Sequence, residues 1–88
     1  MHPAALSPVE LADLLDLAYR ADQGQDVDAP SAETRQALAD YLGCHEEARE
    51  SAWTVWRQAL REAGEDTGDA EYWLDVEFIE PCHEEQRV

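Results

Sequence analysis

With 21 Asp plus Glu against 6 Arg and no Lys in 88 residues, the chain carries a formal net charge of −15. That balance excludes direct binding to a nucleic-acid backbone, where cations must displace condensed counterions, and it disfavours an anionic membrane surface. The length supports at most one domain, near the lower limit at which a single core folds unaided, so a partner or a homodimer is an expectation from size alone.

The opening residues, Met1 to Leu6, show no positive leader region, and no segment approaches the roughly 18 apolar residues of a membrane span. A cytoplasmic location is therefore expected. Leu6-Ser7-Pro8-Val9-Glu10-Leu11 predicts a helix start: Ser7 caps, Pro8 suits the first helical position, and Glu10 reaches back to complete a capping box. Leu11, Leu14, Leu15 and Ala18 then recur at helical spacing, widened by Leu17 and Ala21, with Asp13, Asp16 and Arg20 on the opposite side. Gly24 is the stop signal.

Residues 24–30 carry loop punctuation, and Ser31 or Asp28 caps a second helix. Its inward face is Ala37, Leu38, Tyr41 and Leu42, its outward face Glu33, Arg35, Gln36 and Asp40, and Gly43 closes it. The third helix runs from about Glu46 to Ala63, with Ala48, Ala52, Val55, Trp56, Ala59, Leu60 and Ala63 on one face. Trp53 lies at the edge of that arc, four residues before Arg57, within reach of a cation–π stack. Such a Trp is more often core than a partner anchor.

Residues 70–80 fit two patterns. As a helix capped by Asp69 they align Ala70, Trp73, Leu74 and Phe78; as a strand they align Tyr72, Leu74, Val76 and Phe78. Residue types favour the strand, but no other segment offers it a pairing partner, and this favours the helix. Pro81 ends the element, and 81–88 form a tail. The expected fold is mainly α, a single domain over 1–88 built as a small bundle of three to four helices, with 70–80 open to a strand.

One motif occurs twice: Cys44-His45-Glu46-Glu47 returns as Cys82-His83-Glu84-Glu85, with Arg49 and Arg87 at matching offsets. Two thiols and two imidazoles are the donor set of a tetrahedral zinc site. Cys44, His45, Cys82 and His83 are thus the candidate metal ligands, and a small metal-binding or redox accessory protein is the alternative function. Against it, adjacent residues on a helix point about 100° apart, and the flanks of the two copies share little. The plainer assignment makes Cys44 a cap-region residue, His45 a surface residue and Cys82-His83 tail. In a reducing compartment thiols or metal ligands are more usual than a disulfide. No serine elbow, phosphate loop or HExxH is present, and the chain leaves little room for a substrate pocket, so no catalytic residue and no enzyme are expected.

The acidic surface is the stronger signal. Between Arg61 and Arg87 lie ten acids and no basic residue. Interleaved with them are Tyr72, Trp73, Phe78 and Ile79, a combination that suits an interface with aromatic anchors ringed by steering charges. The candidate protein-binding residues are Glu65, Asp66, Asp69, Glu71, Tyr72, Trp73, Asp75, Glu77 and Glu80. The expected function is a non-catalytic inhibitor or adaptor engaging a basic surface, such as that of a nucleic-acid-binding protein. In size and charge the chain resembles small acidic phage proteins that inhibit bacterial defence or nucleic-acid enzymes, which implies mimicry of nucleic acid. Duplex DNA carries a charge per roughly 1.7 Å of axis, whereas one acid per helical turn gives one per roughly 5.4 Å. Mimicry therefore needs two or three acidic elements side by side. An acid-biased proteome would produce the same composition without function, and the exclusive use of Arg with no Asn points to such a bias.

Overall fold

Why the chain turns where it does is clearest at its two glycine stops. The computed structural model describes residues 3–80. A 3₁₀ turn at Pro3–Ala5 precedes four helices: α1 (Pro8–Asp22), α2 (Ala32–Cys44), α3 (Glu46–Glu62) and α4 (Thr67–Leu74), the last widening into a π turn over Asp75–Ile79. Gly24 and Gly64 adopt φ of +83° and +75°, the left-handed conformation that costs glycine least. After α1 the amide of Gln25 donates to the Arg20 carbonyl at 3.0 Å, and after α3 that of Glu65 donates to Leu60 at 2.9 Å. Both ends thereby satisfy carbonyls that would lack partners.

The starts follow from side-chain caps. Ser7 and Glu10 form the expected capping box on α1, and the Ser31 hydroxyl accepts from the Thr34 amide on α2. For α4 the cap is Asp66, whose carboxylate accepts from Gly68 N at 2.8 Å, and not Asp69 as the sequence suggested. The helix starts at Thr67, two residues before Asp69, which stands in the first turn, where its charge suits the helix dipole. α2 runs one residue past Gly43, through Cys44. Arg49 explains this extension, since its guanidinium donates to the carbonyls of Leu42 and Gly43 at 3.2 and 3.4 Å.

No strand occurs among the described residues, so the mainly α bundle holds and the strand alternative for 70–80 falls. The helical pattern is the one realised: Ala70, Trp73, Leu74 and Phe78 are all buried. Trp73 and Phe78, five residues apart, would stand roughly 140° from each other on a regular α-helix. The π turn, closed by the Glu80 amide donating to Asp75 O, helps bring Phe78 round until the two rings meet at 5.0 Å.

α1 packs chiefly on α3, and α2 on the π turn. At the junction sits an aromatic hub. Trp56 of α3 makes edge-to-face contacts with Tyr19 of α1 at 5.6 Å, Trp53 at 5.4 Å and Trp73 of α4 at 5.8 Å. Such pairs contribute about 0.5–1.5 kcal/mol beyond area burial. Trp53 is therefore core, at 9% exposure. Ala59 and Ala63, expected on the buried face, are exposed, because the large rings on that face leave the small side chains at its margin.

Candidate protein-binding surface

Two aspartates of α1 hold the core tryptophans from outside. Asp16 accepts from Trp56 Nε1 at 3.0 Å and from Arg20 Nε at 2.8 Å, and Arg20 continues to Glu65 with both terminal nitrogens. Asp22 accepts from Trp73 Nε1 at 2.8 Å and is gripped by both ends of the Arg35 guanidinium at 2.8 and 2.7 Å. Arg35 also reaches Glu77 at 3.3 Å and lies over the rings of Trp73 and Phe78, 5.8 and 6.0 Å from their centroids. The Arg35 hydrogen bonds hold the Asp22 carboxyl below the usual aspartate range against the opposing effect of burial, with help from the Trp73 indole. Hydrogen bonds to Glu65 and Asp16 likewise raise Arg20.

These struts change the surface expected from sequence. Trp73 is 8% exposed with its indole N–H committed to Asp22, so it is a core residue and offers no anchor. Phe78 is 1% exposed. Glu65 and Glu77 neutralise Arg20 and Arg35, and Asp66 caps α4. Sequence reasoning placed Asp16, Arg20 and Arg35 on outward faces and missed their inward role. The signal was the spacing of a half-buried acid and a base flanking an aromatic face, visible only once the partner helix is known.

What stays on the outside is nevertheless coherent. Tyr72 is 73% exposed; Asp69, Glu71 and Asp75 within a helical turn of it, and Glu80 further along the chain, are exposed without an ion pair among the described residues. The acids at the start of α4 and just before it are felt within the protein: after burial itself, Asp69, Glu65 and Asp66 push the Tyr19 phenol above its usual value. Beside Tyr72 a cleft of about 680 Å³ runs between α3 and α4. Trp53, Thr54 and Leu74 contribute to its walls, with Glu50, Glu71 and Asp75 as its acids and Arg49 and Arg57 as its bases.

The first Cys-His pair forms the corner between α2 and α3. His45 is the last cap of one helix and the first of the other; its ring stacks on Tyr41 at 4.6 Å, with Nδ1 2.9 Å from the Tyr41 carbonyl. Cys44 is the last residue of α2, directly before that corner. No group of three or more metal-ligating side chains occurs among the described residues, and Cys82 and His83 lie outside them. No helix among the described residues is long and apolar enough to cross a membrane. Comparison with family models, with curated proteins and with solved structures returns no match.

Proposed function

We propose that the chain is a non-catalytic protein-binding protein, an acidic inhibitor or adaptor that engages a basic surface such as that of a nucleic-acid-binding protein. The observation that carries this reading is the exposed set Asp69, Glu71 and Asp75 around the exposed ring of Tyr72, continued along the chain by Glu80, all without an ion pair among the described residues. With 6 arginines for 21 acids most carboxylates stay unpaired, and what sets this group apart is the exposed aromatic ring among them. Asp69, Glu71 and Asp75 lie within one helical turn of Tyr72, whose exposed ring offers a partner apolar surface to bury. Together with the formal charge of −15, these groups steer basic partners and reject acidic ones.

Nucleic-acid mimicry, of the kind used by phage anti-defence proteins, is the finer form of the same proposal. It requires that the partner's nucleic-acid site and the acidic face compete. The test is affinity capture from cells, followed by challenge of the captured protein with duplex DNA and with salt. Displacement by DNA, with affinity falling steeply between low and high salt, is expected. Binding indifferent to salt and to the combined changes Asp69→Lys, Glu71→Lys and Asp75→Lys would sink the proposal.

A further inference from the structure

The cleft between α3 and α4 holds charges of both signs that do not meet. Elsewhere in the molecule a guanidinium facing the core recruits two carboxylates: Arg20 takes Asp16 and Glu65, and Arg35 takes Asp22 and Glu77. Arg49, one of the two bases of the cleft, is occupied by the carbonyls that end α2. Arg57, the other, is half-buried and makes no ion pair or side-chain hydrogen bond among the described residues, although Glu50, Glu71 and Asp75 line the same cleft. Those three carboxylates are equally without an ion pair among the described residues.

A cleft that only attracted polycations would present like charge to Arg57, at a cost to every arginine docked beside it. One carboxylate on the ligand removes that cost and adds a charge-assisted hydrogen bond. The volume, about 680 Å³, accommodates several side chains. Tyr72 at the rim offers its face to a cation, as Trp73 and Phe78 offer theirs to Arg35 inside the fold.

We propose that this cleft receives an extended basic segment of the partner that carries one acidic residue, and that Arg57 binds that carboxylate and so fixes the segment's register. The proposal rests on the basic-partner reading above. Arginines of the segment meet Glu50, Glu71 and Asp75 and stack on Tyr72, and the lone acid selects this segment from other basic sequences.

The test uses two synthetic peptides of about ten residues, each with arginines separated by alanines, differing only in a central Glu or Ala. Affinity for the full chain is measured by calorimetry at low ionic strength. Net charge alone makes the alanine peptide the tighter ligand. The proposal expects the reverse, the glutamate peptide binding about three- to tenfold more tightly, as one partly buried ion pair contributes. Arg57→Ala and the longer Arg57→Gln, each checked for folding by circular dichroism, are expected to restore the order set by charge. Equal or tighter binding of the alanine peptide to the unaltered chain, or a preference for glutamate that survives both variants, overturns the role of Arg57 while leaving the basic-partner reading in place. If neither peptide binds at all, both fall together.

Discussion

The α1 side of the bundle and the α3–α4 side treat charge in opposite ways. On the α1 side Asp16 and Asp22 each accept an indole N–H and an arginine, and each arginine ends on a second carboxylate, Glu65 or Glu77. On the other side Glu50, Arg57, Glu71 and Asp75 share a cleft without pairing. Cations are scarce in this chain, and the fold assigns two of its six arginines to the struts that fix tryptophans. The difference separates residues that hold the structure from residues left to meet something else, and substitution can test that division.

The largest effect should come from the paired side. Trp56→Ala removes the centre of the aromatic hub and leaves Asp16 without its indole donor, so a loss of about 3–5 kcal/mol in urea denaturation is expected. Against a total of about 5–15 kcal/mol for a natural domain, that is between about a fifth and the whole of the stability. A loss under about 1 kcal/mol would show that the hub does not organise the core.

Asp22→Asn should cost less, about 1 kcal/mol, because the Asp22 side chain is 33% exposed and solvent screens its pair with Arg35. Its pH dependence has a definite sign. The folded-state carboxyl titrates below the ordinary value, so its contribution is fully present above the unfolded value of about 3.9 and is lost as pH falls through the lowered folded one. The stability difference between the original chain and Asp22→Asn should therefore be flat from neutral pH down to about 4 and shrink below it. A difference that grew with acidification would contradict the assignment of Arg35 as the cause.

Salt separates the two sides without mutation. Added NaCl screens self-repulsion among the exposed acids, so the melting temperature should rise by a few degrees, while affinity for a basic partner falls. Ion pairs of the strut side are partly shielded from solvent and should limit the rise without reversing it. Parallel movement of both quantities would mean that stability and binding draw on the same charges.

The helices themselves were legible because apolar spacing, caps and glycine stops are local properties: Ser7 and Glu10, Gly24, and the alignment of Ala70, Trp73, Leu74 and Phe78 all appear as read. The roles of polar residues depended on which helix lies opposite, and periodicity carries no such information. Asp16 and Arg35 have the spacing of solvent-facing residues yet close over Trp56 and Trp73. The same limit misjudged Trp73, whose acidic neighbours suggested an interface although its own position lay on the buried arc. It also hid the place of the first Cys-His-Glu-Glu copy, which forms a helix corner, with His45 on Tyr41 and Arg49 on the carbonyls of α2.

Tyr72 gives the smallest stability effect and the sharpest test of the comparison. It directly precedes Trp73 in the chain, so composition and local charge are the same for both, and only the direction of the side chain differs: one ring is 73% exposed, the other 8%. Tyr72→Ala removes almost no buried area and should change unfolding free energy by no more than about 0.5 kcal/mol. If the ring is an anchor, the same substitution should weaken binding to a captured partner about thirtyfold or more, as truncating an aromatic hot spot does, whereas Tyr72→Phe should retain most of the affinity through stacking. An unchanged affinity in Tyr72→Ala would leave the acids as steering charges with no aromatic anchor. The α3–α4 side would then differ from the α1 side only in lacking pairs.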